Sequence, residues 1–213
     1  MRLYLPSFRN GNQPGELIKL LGSGRRTALI HNAMDAAPAA VRADSLKQEI
    51  DRLKSLGLDP VELDLREFFD QRPGLAQRLE QFDLVWARGG NSFVLRRAFK
   101  QSGADQAIVE LLKGDRIVYG GYSAGIDMLT PSLHGIELVD DPHDVPQGYR
   151  QEVIWDGLGL LPYAIAPHYK SDHPESAAVD KSVEYLIDHH LPFIALRDGE
   201  VIVVDGTVQR ILG

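Results

Sequence analysis

The sequence predicts an α/β protein with a mostly parallel sheet, and three observations support this prediction. Short apolar runs typical of strands alternate with longer segments of helical periodicity from Leu3 to Lys113. Glycine, asparagine or aspartate residues separate most of these segments. The composition, 44% hydrophobic and 25% charged, is typical of a globular protein, and 213 residues suit one sizeable core. We therefore expect a single domain over residues 1–213.

The elements follow from periodicity and from turn residues. Apolar runs bounded by polar or glycine residues predict strands at 3–7, 27–33, 61–65, 82–87 and 117–121. Helical spacing of apolar residues predicts helices at 16–21, 41–56, 73–81, 92–101 and 105–113. Residues 131–151 are rich in Gly, Pro, Asp and His, so we expect a surface loop with a hairpin through 136–139. The remaining pattern predicts a strand ending near 165, a helix at 175–190, and strands at 193–196, 201–204 and 207–212.

Charge and composition exclude several classes of protein. A net charge of −7 and a pI near 5.5 argue against a sequence-independent nucleic-acid binder, which needs a basic face. The absence of cysteine excludes disulfides, thiolate metal sites and a cysteine nucleophile. No segment approaches the roughly 20 apolar residues that span a bilayer, and the N-terminal apolar run is too short for a signal peptide. We expect a cytoplasmic monomer or homodimer without a membrane or nucleic-acid partner.

A serine stands at the turn between a predicted strand and a predicted helix. Ser123 has one glycine two residues before it and another two residues after it, which is the pattern of a nucleophile elbow. Such a turn lifts the hydroxyl out of the sheet and places it at a helix N-terminus, where N–H groups stabilise developing negative charge. The alternative is a small-residue turn with an incidental serine. A nucleophilic serine needs a base, an orienting acid and N–H donors for the oxyanion.

Candidates for these partners follow other predicted strands. The Ala124 N–H comes directly after the serine, and Gly89-Gly90-Asn91 offers a second donor at a strand end. His168 follows an apolar run and a proline that favours extended or turn geometry. Asp198 directly follows the strand at 193–196, although an aspartate before glycine is often a turn former. The competing acids are Asp140, Asp141 and Asp172.

The other histidines and acids do not predict a metal site. His189 and His190 end a helix, where a cationic ring interacts favourably with the helix dipole. The strongest candidate ligand set lies in the polar loop, where acidic residues are usually hydrated, and it comprises Asp140, Asp141, His143 and Asp144. We therefore predict no metal and no other cofactor.

Four segments together resemble the dipeptidase E family of serine peptidases. They are, in chain order, Gly89-Gly90-Asn91-Ser92-Phe93, Gly121-Tyr122-Ser123-Ala124-Gly125, Ala166-Pro167-His168-Tyr169 and Leu196-Arg197-Asp198-Gly199. The resemblance implies a flavodoxin-like three-layer sandwich, similar to class I glutamine amidotransferases but with serine in place of their cysteine. It implies Ser123 as nucleophile and His168 as base, with Gly90 and Ala124 as oxyanion-hole donors. The third member of the triad corresponds to Asp198, where the best-known member of the family carries glutamate.

The resemblance also implies a short peptide as substrate. The family's named activity removes N-terminal aspartate from dipeptides, which requires a cation for the β-carboxylate. Where the family carries basic residues after the histidine, this chain has Ser176, Ala177 and Ala178. The candidate substrate-binding residues are Asn91, Tyr122 and Lys170, and the other possible cations are Arg88, Arg150 and Lys181.

The leading hypothesis is a metal-independent serine peptidase that acts on short peptides, including dipeptides with N-terminal aspartate. One alternative is an isopeptidase that is similar to cyanophycinase and cleaves β-aspartyl peptides. Another is a non-catalytic binding protein on the same fold. An α/β-hydrolase esterase is disfavoured because that fold orders its triad Ser, Asp, His, whereas the order here is Ser123, His168, Asp198.

Overall fold

The computed structural model describes residues 1–71 and 73–213 and shows a central sheet flanked by helices. The strands are, in chain order, β1 (Arg2–Pro6), β2 (Arg26–Ile30), β3 (Asp59–Glu62), β4 (Leu84–Ala87), β5 (Val118–Gly121), β6 (Ala164–Ala166), β7 (Phe193–Ala195), β8 (Val201–Asp205) and β9 (Val208–Leu212). The helices are α1 (Pro14–Leu21), α2 (Ala39–Ser55), α3 (Leu75–Leu79), α4 (Ser92–Ser102), α5 (Ala104–Lys113), α6 (Ala124–Asp127) and α7 (Ser176–Asp188).

Within the described residues, seven strands form the central sheet in the order β3-β2-β4-β5-β1-β8-β9. The first five run parallel, and β8 and β9 add an antiparallel edge. The predicted mostly parallel α/β sheet is confirmed, as is the closing hairpin of β8 and β9. Ala87 of β4 pairs with Gly121 of β5, so the carboxyl ends of these strands lie side by side. Ligand sites in such sheets lie beyond these ends.

Helices cover both faces of the sheet. Successive strand residues point to opposite faces, so Leu3 and Leu5 join one buried cluster while Tyr4 joins the other. The first cluster contains apolar residues of α3, α4, α5 and α6, and the second contains residues of α1 and α2. This arrangement is a three-layer sandwich with the sheet in the middle.

A small second sheet lies outside the central one and carries part of the candidate site. Strands β6 and β7 pair in parallel through Ala164–Phe193, Ile165–Ile194 and Ala166–Ala195. Helix α7 packs against β6 through Val179 and Val183. The predicted strands before His168 and Asp198 therefore exist, but they belong to this small sheet.

Three local predictions are wrong. Residues 136–139 do not form a hairpin, because Ile136–Leu138 is a 3-10 turn whose N–H groups bond within the loop. The strand predicted to reach residue 33 ends at Ile30, and a 3-10 turn follows at Asn32–Met34. The strand predicted at 61–65 is β3, which spans Asp59–Glu62, and a 3-10 segment begins at Leu65, whose N–H donates to the Asn32 side chain. Among the described residues, we find no helix with the length and apolar character needed to cross a membrane.

Candidate active site

Ser123 lies on a strained turn between β5 and α6. Its backbone dihedrals are φ 50° and ψ −124°, which a non-glycine residue rarely adopts. A Cβ on Gly121 would lie 2.3 Å from the Ala87 carbonyl oxygen, and one on Gly125 would lie 2.0 Å from it. Any larger residue at either position would collide with β4. The two glycines of the sequence pattern therefore have a steric cause, as the nucleophile elbow requires.

The turn is held from behind by two buried tyrosines. The Tyr119 hydroxyl donates to the Gly125 carbonyl at 2.6 Å, and the Tyr122 hydroxyl donates to Glu49 at 3.0 Å. Glu49 is buried, accepts a second hydrogen bond from Trp86 at 2.8 Å, and pairs with Arg52. No pattern in the sequence indicates this network, because Glu49 lies on α2, far from Ser123 in the chain.

His168 and Asp198 follow the two strands of the small sheet and contact each other. The His168 Nδ1 and the Asp198 Oδ1 are 2.7 Å apart, so a hydrogen bond joins the two predicted residues. Backbone hydrogen bonds from Leu196 to Ala166 and from Tyr169 to Leu196 align the two loops. The competing acids lie elsewhere: Asp140 accepts a hydrogen bond from the Ser92 N–H and Asp141 accepts one from the His143 N–H. The third, Asp172, is exposed.

Burial lowers the pKa of His168 below its ordinary value, although the hydrogen bond to Asp198 and its charge act in the opposite direction. The ring is therefore neutral at neutral pH. Because Asp198 is an acceptor, Nδ1 carries the proton and Nε2 keeps its lone pair. A neutral imidazole with a free Nε2 is the form that can accept a proton from a serine.

Ser7, at the carboxyl end of β1, connects His168 with Asp198 and was missed by the sequence analysis. Its Oγ accepts the His168 backbone N–H at 2.8 Å and donates to the Asp198 Oδ1 at 2.9 Å. The side chain is fully buried. Its place at the end of the strand predicted at 3–7 was the available signal.

Ser123 and His168 both line a cavity of about 210 Å³. In the described part of the chain, no hydrogen bond joins the Ser123 hydroxyl to the ring of His168. A Cβ on Gly89 would lie 2.9 Å from the Ser123 Cβ, so the Gly89-Gly90 turn is close to the serine. Neither the Gly90 nor the Ala124 N–H donates a hydrogen bond to another described residue. Both N–H groups are available as oxyanion donors.

The three predicted substrate-binding residues lie in different environments. The Asn91 side chain accepts from the Phe93 and Val94 N–H groups and donates to the Asp141 carbonyl, so it serves as the N-cap of α4. The Tyr122 ring lines the 210 Å³ cavity, although its hydroxyl is bound to Glu49. The Lys170 ammonium lies 5.4 Å from the centroid of the Tyr169 ring and does not line this cavity.

Besides Asp198, three carboxyl groups lie near Ser123 and His168. Asp127, Asp140 and Glu175 line a small cavity of about 10 Å³ together with Ser123 and His168. Burial raises the pKa of Asp140 to about 6 and raises the pKa of Asp127 well above its usual range. Burial also raises the pKa of Glu175, which lies 3.9 Å from the His168 Nε2. Neighbouring carboxylate charges add to the effect of burial, since Asp140 raises the pKa of Asp127 and Glu175 raises that of Asp140.

One histidine–glutamate group has side-chain atoms close enough to be considered as metal ligands. Its members, His168, His173 and Glu175, each offer one ligand atom within 4.8 Å of the others. The two imidazole rings are stacked, with centroids 3.7 Å apart and planes 6° from parallel. Lone pairs of parallel stacked rings do not converge on one ion. As placed, these rings fit stacking better than coordination.

Comparison with known proteins places this chain in a family. The sequence profile described as Peptidase family S51 matches residues 16–212. The chain is 33% identical over 141 residues to "Peptidase E" of Streptomyces coelicolor, which covers 64% of this chain and 54% of that protein. It is 30% identical over 147 residues to "Probable alpha-aspartyl dipeptidase" of Drosophila melanogaster, which covers 67% of this chain and 58% of that protein.

The fold also matches solved structures. A protein from Listeria monocytogenes EGD-e aligns with a TM-score of 0.78 and 24% identity over 99% of this chain and 97% of that one. A peptidase from an acI-B1 Actinobacterium aligns with a TM-score of 0.75 and 17% identity over 100% of this chain and 87% of that one. The matches to the curated relatives span little more than half of those proteins' length. The profile match extends over nearly the whole sequence, and the chain belongs to peptidase family S51.

Proposed function

We propose that the chain is a serine peptidase that hydrolyses short peptides with Ser123 as nucleophile, His168 as base and Asp198 as orienting acid. The observation that carries this proposal is the 2.7 Å hydrogen bond between Asp198 and His168, beside a cavity that Ser123 also lines. The strained turn at Ser123 supports it, because strain of this kind concentrates at functional sites.

Each residue has a defined step in the proposed reaction. The Ser123 oxygen attacks the peptide carbonyl while the His168 Nε2 takes its proton, which requires the two atoms to approach to about 2.6–3.2 Å when substrate binds. The N–H groups of Gly90 and Ala124 stabilise the oxyanion, and Asp198 stabilises the imidazolium. His168 then protonates the leaving amine, and water hydrolyses the acyl-enzyme by the reverse sequence of proton transfers.

Two observations favour a short substrate. The cavity of about 210 Å³ is smaller than the ~300–1,000 Å³ typical of ligand pockets, so it suits a dipeptide better than a long chain. Relatives that match part of this chain carry the names Peptidase E and alpha-aspartyl dipeptidase. We therefore infer that dipeptides, including those with N-terminal aspartate, are the substrates to test first.

The experiment combines active-site labelling with hydrolysis. Wild-type protein should react with a fluorophosphonate probe and hydrolyse members of a panel of α-Asp-X, β-Asp-X and Ala-X dipeptides. Ser123→Ala should lose labelling and lower turnover by ~10³-fold or more while it remains folded by circular dichroism. Ser55→Ala removes an exposed serine at the end of α2 and serves as the matched control.

Different results lead to different conclusions. Hydrolysis of β-Asp-X alone would point to an isopeptidase. Neither labelling nor hydrolysis in wild-type protein would favour a non-catalytic binding protein. Full turnover in pure Ser123→Ala protein would remove Ser123 from the mechanism.

A further inference from the structure

Arg88 is a half-buried guanidinium group at the edge of the candidate site. It directly follows β4, and its backbone N–H donates to the Ile30 carbonyl at 3.0 Å. Its side chain lines the 210 Å³ cavity together with Ser123, Gly90 and His168. The position is fixed by the sheet, because β4 and β5 are neighbours and end at the same level.

The guanidinium group lacks an anionic partner in the described structure. Its Nη1 donates to the Gly89 carbonyl at 2.6 Å, and its Nε is buried without a hydrogen-bond partner. Across residues 1–71 and 73–213, no carboxylate lies within ion-pair distance of Arg88. The neighbouring His31 is a neutral ring, because burial and the nearby Arg88 charge lower its pKa to about 3, so it cannot act as an anionic partner. An unpaired, partly buried charge is unfavourable, so a free guanidinium in a cavity favours an anionic ligand.

Arginine is also the side chain best suited to a carboxylate. Its planar group can donate two parallel N–H bonds to the two oxygens, and these charge-assisted bonds are about twice as strong as neutral ones. The other cations named in the sequence analysis are placed less favourably. Arg150 pairs with Asp70 at 3.4 Å, and Lys170 and Lys181 do not line this cavity.

The same cavity carries a negative group of its own. Glu175 lines it as well and is not paired with Arg88. A cavity with separate positive and negative groups beside the nucleophile suits a small zwitterion. A free dipeptide is such a ligand, because its ammonium and carboxylate groups lie a few bonds from the scissile carbonyl.

We propose that Arg88 binds a carboxylate of the substrate next to Ser123 and thereby selects short peptides that carry one close to the scissile bond. This inference rests on the proposed function. The carboxylate has two possible sources in a dipeptide such as Asp-Leu, namely the aspartyl side chain and the C-terminal carboxylate. Both offer the same two oxygens, and substrate analogues distinguish them.

The first test measures binding without catalysis. In a Ser123→Ala background, calorimetry should give measurable binding of Asp-Leu, and Arg88→Met should weaken it by ~10- to 100-fold, the loss expected for a hydrogen bond between charged groups. Met keeps an apolar stem of similar length but no charge. Arg88→Lys should restore part of the affinity. The matched control Arg116→Met removes an exposed arginine that pairs with Glu80 before β5, and it should leave binding unchanged.

Two analogues identify the source of the carboxylate. Asn-Leu removes the side-chain charge, and Asp-Leu amide removes the C-terminal charge. One analogue lacks the carboxylate that Arg88 binds. Its affinity for the Ser123→Ala protein should be ~10- to 100-fold lower than that of Asp-Leu, and Arg88→Met should not lower it further. The other analogue should behave as Asp-Leu does.

The outcomes separate this inference from the proposed function. Fluorophosphonate labelling of Ser123 should persist in Arg88→Met, which reports an intact nucleophile. If Arg88→Met weakens all three ligands equally, if it weakens none, or if Asp-Leu does not bind, the inference is overturned. Failure of labelling and hydrolysis in the wild type, with Arg88-dependent binding retained, would instead overturn the proposed catalysis alone.

Discussion

Replacing Asp198 by asparagine should be far less harmful than replacing it by alanine. The Asp198 Oδ1 accepts both the Ser7 hydroxyl at 2.9 Å and the His168 Nδ1–H at 2.7 Å. Among the described residues, its other oxygen accepts no hydrogen bond. Asparagine can therefore place its oxygen at the Oδ1 position and its amide nitrogen toward the unbound side. This orientation preserves both hydrogen bonds and the tautomer of His168.

The magnitude follows from what each change removes. Asparagine loses only the negative charge that stabilises the imidazolium, worth about 1.5–3 kcal/mol for a bond to a charged group, or about 10- to 150-fold in turnover. Alanine removes the acceptor altogether, so both the Ser7 hydroxyl and the ring N–H lose their partner. Its loss should approach ~10⁴-fold, as expected when the ring is no longer held in the correct tautomer.

Steady-state hydrolysis of the best dipeptide would measure both variants, with folding checked by thermal unfolding. Asp172→Asn, an exposed acid four residues after His168, is the matched control and should retain wild-type turnover. A loss in Asp198→Asn equal to that in Asp198→Ala would show that the amide is flipped and would refute the assigned contacts. Wild-type turnover in Asp198→Ala would exclude Asp198 from the mechanism.

Three further predictions follow from the same contacts. Because burial lowers the pKa of His168, the acid limb of kcat/KM should lie below pH ~6.5, and Asp198→Asn should move it lower still, since the aspartate raises that pKa. A wild-type acid limb above ~6.5 would contradict the first expectation, and an upward shift in Asp198→Asn would contradict the second. Ser7→Ala should lower kcat by ~10-fold or more with little change in KM, because it leaves the buried His168 N–H unpaired; an equal rise in KM alone would argue against a positioning role. Hydrolysis should be unchanged after dialysis against EDTA, and loss with recovery on zinc would implicate His168, His173 and Glu175 in metal binding.

The features that the sequence predicted correctly share a local cause. The turn at Ser123 was predictable from five consecutive residues, because the serine, its two flanking glycines and the preceding strand are adjacent in the chain. The roles of His168 and Asp198 could be proposed because each residue lies shortly after a strand-like run, and the two strands pair in parallel. The helices α4 and α5 were found by apolar periodicity, and their bounds differ from the prediction by one residue at most.

The features that were missed depend on contacts between distant segments. Ser7 lies 161 residues before His168, and nothing in its surroundings shows that β1 lies between β5 and β8. Asn91 is a predicted substrate-binding residue, but its side chain is the N-cap of α4 and bonds to the Phe93 and Val94 N–H groups. Arg88 was one of several possible cations, and only the sheet order places it beside Ser123.

The proposed catalytic residues are divided between two sheets, and this division makes Ser7 more than a local contact. Ser123 is fixed by β5 of the central sheet, whereas His168 and Asp198 are fixed by β6 and β7 of the small one. Ser7, at the end of β1 in the central sheet, bonds to both members of the second group. A change that loosens this connection would displace the base and its acid together, so their mutual hydrogen bond would survive while the distance to Ser123 increased. Reactivity of the serine would then fall even though the elbow and the His168–Asp198 pair were each intact.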